Sequence, residues 1–406
     1  MYLQIAWRNI WRNPRRTFVI LMAVIVGVWS MIFLGGLMDG VNEQIVRNSI
    51  LTLTGSLQIR HKDFRTDPVI ENSMELSSDV EKILDAHLPE GAKWTPRIRV
   101  SAVAGNARHT SGIMLVGIVP EKEAHVSFIG ISVKTGQYLD SDDLHGIIVG
   151  KALADKFETK LGRKIILMSQ GADKEMASRA FRIRGIFRAD LEATEKAFVF
   201  ISLAAARKML KLKKGVSEIS VLLPEDKSEA PVAKTIKKEL SDAYSVETWQ
   251  EMLPVVTGYL EMNYGFTLIW YFVVFIAMGF GIVNTLLMAV FERMREFGLM
   301  KALGMKPWWI TREILTESFF LLVLRIIAGN ILSLICLFVL ADKGIDLSAM
   351  AAGMEYAGVP RIIYPSVKIK SILTANALVL VLGMLVSLYP AMKASSFTPI
   401  EAMNRQ

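Results

Sequence analysis

Four long apolar stretches dominate the pattern of hydrophobic and polar residues along the chain. A membrane-spanning helix needs about 20 mostly apolar residues, because the hydrocarbon core of a bilayer is about 30 Å thick. Stretches of that length lie at residues 17–38, 262–291, 318–341 and 371–392, and the third alone contains a charged residue, Arg325. The pattern therefore predicts four transmembrane helices.

The remaining residues form five more polar segments, at 1–16, 39–261, 292–317, 342–370 and 393–406. In the longest of them, 39–261, we expect the first helix to continue to about residue 50, and short apolar runs then predict strands, including one over 51–59. Near its end, a strand from 218, a helix over 231–240 and a strand from 244 make a β-α-β unit. The segment is thus predicted to be a mixed α/β domain, a split βαβ module beside a β-rich lobe.

Short basic segments predict the orientation in the membrane. Four arginines precede the first span, and 292–317 carries five Lys and Arg residues. Lys and Arg collect on the cytoplasmic side, so both segments and both termini are expected there, which puts 39–261 outside. The basic loop 342–370 argues mildly the other way. The first apolar run is too long for a signal-peptide core, so we expect an uncleaved span, preceded over 1–16 by an interfacial helix bearing Trp7 and Trp11.

Composition supports this hybrid of membrane and water-soluble parts. The chain is 52% hydrophobic and 21% charged with a formal net charge of +8, and the basic excess follows the predicted topology, so nucleic acid is not expected as a partner. Its one cysteine, Cys336, excludes an intramolecular disulfide framework, and the five histidines show no metal-binding spacing. We therefore expect no catalytic, cofactor or metal site in this chain.

Segment 292–317 is the most informative stretch. Apolar residues alternate with charged ones over 293–303, which predicts an amphipathic helix that ends at Gly304 and Pro307. Such a helix could lie on the lipid surface or fill a groove on a partner protein. Periodicity alone leaves both interpretations open.

Several motifs resemble the FtsX/MacB-type permeases of ABC transporters. The order of one span, a large domain and three spans is similar to that family, as are RMREFGLMKALG at 293–304 with Glu313 and Glu317, the C-terminal YPAMKAS and PIEA motifs, and LQIAWRNIWRNPRRT at 3–17. Three stretches of the large segment look more like the lipoprotein-releasing (LolC/LolE-like) branch of the family than the macrolide-exporter branch. They are GSLQIRHKDF, VGIVPEKE and GIIVGKALADKF, within 55–157.

The resemblance implies a MacB-type periplasmic core domain and a mechanotransmission (type VII) transporter in a bacterial inner membrane. Two permeases, either two copies or two paralogues, would pair with a cytoplasmic ATPase dimer that carries the ATP and Mg, so this chain is not expected to be an enzyme itself. The cargo would be a lipoprotein or another lipid, with a periplasmic adaptor or chaperone as a further partner. Alternatives are a MacB-type macrolide, peptide or toxin exporter and an FtsX-like activator of a cell-wall hydrolase. The residues expected to contact the ATPase are Glu292, Arg293, Arg295, Glu296, Phe297, Gly298 and Gly304.

Polar and small residues inside the spans form a second group of candidates. Arg325 near mid-span is costly unless it is paired or hydrated, so it either contacts cargo or another span, or pairs with Glu317 or Asn284. Ala277 and Gly281 are four residues apart and could let two second spans approach closely, whereas Gly279 with Gly281 could form a hinge. The sequence does not choose between packing and hinge.

Overall fold

The computed structural model describes residues 14–225, 227–346 and 362–398. Its helices are α1 Pro14–Ser49, α2 Lys62–Thr66, α3 Ser78–His87, α4 Pro120–Glu123, α5 Ile129–Ser132, α6 Lys151–Lys156, α7 Glu192–Ala197, α8 Leu203–Met209, α9 Glu229–Glu239, α10 Trp249–Met252, α11 Pro254–Glu292, α12 Met294–Ala302, α13 Pro307–Lys343 and α14 Ile369–Ser396. Its strands are β1 Leu57–His61, β2 Met74–Glu75, β3 Lys93–Gly105, β4 Thr110–Ile118, β5 Val133–Gly136, β6 Gly146–Gly150, β7 Lys164–Gln170, β8 Met176–Phe187, β9 Phe198–Ser202, β10 Gly215–Val216, β11 Glu218–Leu222, β12 Tyr244–Thr248, β13 Ile345–Asp346 and β14 Ile362–Ile363.

Within these ranges, four helices are long and apolar enough to cross a membrane: α1, α11, α13 and α14. Each contains one predicted span and is longer than it, and α1 runs to Ser49, as the sequence predicts. At about 1.5 Å per residue, the 39 residues of α11 extend about 58 Å, nearly twice the hydrocarbon thickness. α13 starts at Pro307, so residues 307–317 are helical rather than part of a loop. Residues 1–13 and 399–406, including the expected N-terminal helix and the PIEA motif, lie outside the described residues.

The chain divides into two compact units, of which the first contains, among the described residues, 14–43, 259–346 and 362–398. Val28 and Met31 of α1 pack in one apolar cluster with Tyr271 of α11, Leu322 of α13 and Val379 of α14. α13 and α14 are also joined by a reciprocal amide pair, because the Nδ2 of Asn330 donates to Oδ1 of Asn376 at 3.0 Å and the reverse bond is 3.1 Å. This is the inter-helix hydrogen bonding expected of asparagines within spans.

The second unit, described over residues 44–225 and 227–258, is built on a ten-stranded sheet. β1 lies between β11 and β12 and is antiparallel to both, so β11, α9 and β12 form the predicted split βαβ unit. A six-stranded barrel forms the rest of the sheet, in the order β3, β4, β9, β6, β8 and β7. The barrel closes because β7 pairs with both β8 and β3. Apolar side chains on alternate residues of the strands pack in two clusters, as expected when both faces of a strand are covered.

The prediction of a strand over 51–59 is wrong for the residues that precede Leu57. Residues Ile50–Thr54 form an irregular turn with non-helical backbone angles at Thr52 and Leu53, and β1 starts only at Leu57. Leu53 adopts φ 68° within this turn and Gly55 adopts φ 72°, so the backbone changes direction twice before the strand. Alternating apolar residues cannot reveal such left-handed positions, which are rare for leucine.

A buried charged cluster holds this turn in place. The guanidinium of Arg97 donates from Nη1 to the carbonyl oxygen of Leu53 at 2.6 Å and from Nη2 and Nε to Glu123 at 2.7–3.1 Å. Glu218 lies 3.8 Å from Nη1, and the side chains of all three charged residues are at most 1% exposed. Burial opposes the charge on Arg97, but the carboxylates of Glu123 and Glu218 outweigh it and raise the pKa of the guanidinium. We call Arg97, Glu123, Glu218 and the Leu53 carbonyl the Arg97 cluster.

Candidate functional site

The short helix α12 lies between two long helices, and Arg293 occupies the break that precedes it. α11 ends at Glu292, Arg293 has φ −101° and ψ 11°, and α12 begins at Met294. Gly304, with φ 92°, and Pro307 at the start of α13 end the segment. The amphipathic helix and its end are thus where the sequence predicts them.

Arg293 joins α12 to α13 through three carboxylates. Its Nη2 lies 2.8 Å from Glu313 and its Nη1 lies 2.9 Å from Glu317, while its Nε lies 3.2 Å from Glu296. The same guanidinium is 5.0 Å from the ring centre of Phe297. Burial acts to lower the pKa of Arg293, but the surrounding carboxylates raise it overall, so the side chain remains charged.

Apolar packing and a lysine join α12 to α14 as well. Phe297 is buried in a cluster with Ile310 and Ile314 of α13 and with Ala391 and Ala394 of α14. The ammonium of Lys301 donates to the carbonyl oxygens of Ser395 and Phe397, the latter at 2.6 Å. Cations are favourable near the last carbonyls of a helix, so this contact stabilises the end of α14. α12 is therefore attached to α11 by the chain and to α13 and α14 by side chains.

The candidate ATPase-contacting residues fall into two groups. Phe297 and Gly298 are buried, and the Arg293 side chain is only 12% exposed. Glu292, Arg295, Glu296 and Gly304 are exposed. The exposed group shares its surface with two apolar residues, Leu299 and Leu303, the second of which is 80% exposed. We call the exposed residues Glu292, Arg295, Glu296, Leu299, Leu303 and Gly304 the α12 outer face.

Arg325 is buried in the first unit, and of the alternatives considered for it the pairing with Glu317 is wrong. The residue is 4% exposed, and its Nε has no hydrogen-bond partner among the described residues. Glu317 pairs with Arg293 instead, and Asn284 is exposed on α11. The pairing fails because Arg293 approaches Glu317 from the preceding helix break, a contact that spacing along α13 cannot reveal.

The small residues of α11 do not interrupt the helix. Ala277 is exposed, and a Cβ added at Gly281 would meet no atom within 4 Å. Gly279 is buried, with Phe275 at 3.8 Å from such a Cβ. The helix continues through all three positions. A close approach of two second spans and a hinge both remain predictions.

A carboxylate occupies the start of α6, in the GIIVGKA stretch at 146–152. This stretch does not fit a phosphate-binding loop, because it has one residue too few between its glycines and Ala152 in place of Ser or Thr. The backbone N–H of Ala152 donates to Glu195 Oε2 at 2.9 Å, and the other oxygen of Glu195 accepts from the N–H of Ala189 at 3.0 Å. Glu195 therefore connects the start of α6 to the backbone at Ala189 through two hydrogen bonds.

These features define a class of protein. The chain is a membrane protein with four candidate spanning helices, an α/β domain inserted after the first and a clamped amphipathic helix after the second. Two family models match it: the MacB-like periplasmic core domain over residues 17–239 and the FtsX-like permease C-terminal model over residues 268–399.

The chain belongs to the FtsX/MacB family of ABC transporter permeases. It is therefore an inner-membrane protein with an extracytoplasmic domain, and its family implies a cytoplasmic ATPase partner.

Individual relatives are distant. The chain is 22% identical over 311 residues to the lipoprotein-releasing system transmembrane protein LolC of Neisseria meningitidis, a match that covers 75% of this chain and 72% of LolC. It is 22% identical over 440 residues to the pyoverdine export ATP-binding/permease protein PvdT of Pseudomonas fluorescens, which covers 100% of this chain and 59% of PvdT. The periplasmic region of MacB from Actinobacillus actinomycetemcomitans aligns with a TM-score of 0.37 and 14% identity, covering 53% of this chain and 98% of that region.

Proposed function

We propose that this chain is the permease subunit of a transporter whose ATPase is a separate cytoplasmic protein, and that the α12 outer face is where the ATPase binds. The observation that supports this proposal is that side-chain contacts attach α12 to two long helices. Arg293, Phe297 and Lys301 connect α12 to α13 and α14, and it follows α11 directly in the chain. A push on α12 would therefore move three long helices together.

The α12 outer face has the composition of a helix-in-groove contact. Leu299 and Leu303 are four residues apart and provide apolar anchors, and Arg295 with Glu292 and Glu296 provides a charged rim. Phe297 and Gly298 support this face from beneath rather than contact the partner. ATP and Mg would bind to the ATPase subunit, and this chain would convert its closure into movement.

The proposed cargo is a lipoprotein or another lipidated molecule, released from the outer face of the inner membrane. The similarity to LolC over most of both chains supports this choice. The match to PvdT, whose name describes pyoverdine export, favours a second candidate, a MacB-type exporter that works with an adaptor. A second permease, identical or paralogous, completes either complex.

Photo-crosslinking tests the docking proposal. A photoreactive amino acid at Leu303 in cells should capture an ABC ATPase that mass spectrometry identifies, and one at Leu161, on the α/β domain, should not. Charge reversal at Arg295 and Glu296 together should lower ATPase co-purification. Unchanged co-purification and unchanged coupling of ATP hydrolysis to transport would refute the assignment of this face.

Crosslinking from the α/β domain tests the cargo. A photoreactive residue at exposed positions such as Ile131 or Met176 should trap an acylated protein if lipoprotein release is correct. Capture of a periplasmic adaptor without any acylated protein would favour the exporter, and capture of a hydrolase would favour an FtsX-like signalling role.

A further inference from the structure

A cleft of about 520 Å³ opens in the α/β domain where β1, α2, β3 and the residues around α10 meet. Three arginines line it: Arg60 of β1, Arg65 of α2 and Arg99 of β3. We call this feature the arginine cleft. Its volume is within the range of about 300–1,000 Å³ that is typical of small-molecule sites.

The carboxylates of the arginine cleft are already occupied. Glu218 Oε2 lies 3.2 Å from Arg60, and the same carboxylate belongs to the Arg97 cluster. Glu247 pairs with Arg65. Glu251 accepts a hydrogen bond from the backbone N–H of Thr248 at 2.8 Å as part of a capping box. Each acid that lines the cleft thus has at least one partner, although Glu218 Oε1 has only its 3.8 Å ion pair with Arg97 and no hydrogen bond among the described residues.

Two of the arginines, in contrast, keep unused donors. The Nη2 of Arg60 is bonded to Gln58 and Glu218, but its Nε is buried and has no hydrogen-bond partner among the described residues. Arg99 stacks over Phe198 with its guanidinium carbon 5.8 Å from the ring centre, and no carboxylate among the described residues lies within ion-pair distance of it. Guanidinium groups bind carboxylates and phosphates through paired N–H donors, so the cleft is prepared for an anion.

Part of the remaining lining is apolar, beside the polar residues Thr54, Gln58 and Ser101. Phe64, which is 4% exposed, lies there with Met114, Met252 and Leu253. Methionine side chains adapt to ligands of irregular or variable shape. The cleft thus combines spare guanidinium donors with a flexible apolar wall.

We propose that the arginine cleft binds an amphiphile that carries a carboxylate or phosphate group, with the anionic group at Arg60 and Arg99 and the hydrocarbon against Phe64, Met114 and Met252. The proposal deepens the proposed function, on which its physiological role rests, because it names a contact point for a lipidated or lipid-bound cargo. A ligand there would lie beside Glu218, which belongs to the Arg97 cluster and so connects the cleft to the turn at Leu53.

Calorimetry on the full chain in phosphatidylcholine nanodiscs tests the site without any ATPase. Decyl phosphate and decanoate are titrated, with empty nanodiscs as the blank and with decanol and inorganic phosphate as reference ligands. We expect saturable binding of both anionic amphiphiles, and at least tenfold weaker binding of decanol and of inorganic phosphate. A preference for decyl phosphate would indicate a phospholipid-like headgroup, and a preference for decanoate a fatty-acid carboxylate.

Matched variants make the test specific. Arg99→Met should weaken decyl phosphate binding about tenfold. Arg179→Met should not, although Arg179 also stacks on a phenylalanine of a barrel strand, at 5.7 Å. Met252→Trp, which enlarges one side chain of the apolar lining, should reduce binding independently of the arginines. Equal binding of decanol, equally tight inorganic phosphate, or equal effects of the two arginine variants would overturn the proposal. Because no ATPase is present, these results would leave the docking of the α12 outer face untouched.

Discussion

Replacing Arg97 with methionine should destabilise the α/β domain strongly. The side chain is 1% exposed, and it supplies the counter-charge for Glu123, whose side chain is fully buried. It also satisfies the Leu53 carbonyl in the left-handed turn. The substitution keeps most of the apolar volume but leaves a buried carboxylate without a compensating charge among the described residues. Breaking a buried ion pair in this way costs about 3–5 kcal/mol.

Hydrogen exchange of the full chain measures this cost strand by strand. Each 1.4 kcal/mol corresponds to a tenfold change in an opening equilibrium, so the slowest amides of β3 and β11 should exchange roughly 100- to 4,000-fold faster in Arg97→Met. Amides of α13 and α14, in the other unit, should change little. The decisive comparison is with the double variant Arg97→Met with Glu123→Met. Removing both charges should restore much of the protection, because replacing a buried ion pair by apolar side chains is often neutral or stabilising.

The result that would refute this reasoning is specific. If the single and double variants exchange equally fast, the loss comes from packing or from the Leu53 contact and not from an uncompensated carboxylate. An increase of less than tenfold in Arg97→Met would show that water or backbone rearrangement compensates Glu123, so that the Arg97 cluster contributes little to stability.

Three further predictions concern single side chains. Arg293→Met should cost about 1–3 kcal/mol by leaving Glu313 and Glu317 close together without their partner, and it should lower the transport obtained per ATP hydrolysed more than it lowers ATPase co-purification. Arg325→Leu should raise thermal stability, because an arginine within a span costs roughly 2.5–3.5 kcal/mol on insertion scales; normal transport by the stable variant would end the functional interpretation of Arg325. Burial acts to raise the pKa of Asp143, but two backbone N–H groups and Arg184 lower it overall, so its stabilisation is present above about pH 4 and is lost as the pH falls through the folded-state pKa. The stability difference between wild type and Asp143→Asn should therefore shrink between pH 7 and pH 3 in thermal melts, and a constant difference would contradict the shift.

Hydropathy predicted the four spans because the requirement for about 20 apolar residues acts on composition alone. It underestimated the helices, since the polar residues that flank each apolar run continue the same helix. Pro254 and Pro307 mark the starts of two of them, and proline at the first turn of a helix is a signal that sequence reading can use.

The contacts of the candidate site were less accessible to sequence analysis. Glu313 and Glu317 are conspicuous in the sequence, but their pairing with Arg293 depends on the break between α11 and α12, which no periodicity predicts. Likewise, the contact of Lys301 with the end of α14 joins residues almost a hundred positions apart. In the α/β domain, the alternation of apolar residues predicted most strands, whereas barrel closure through the pairing of β7 with β3 is a long-range event.

The thirteen-residue strand β3 has a mechanical consequence for the α/β domain. Its first half pairs with β11 of the split βαβ unit, its last three residues pair with β7, and nine of its residues pair with β4. One unbroken strand is thus shared by both lobes, so bending one lobe against the other would require rupture of its hydrogen bonds. The α/β domain should therefore move as one rigid body. A force applied to the split βαβ unit would displace the barrel by a similar distance, because little of the movement is absorbed by deformation within the domain.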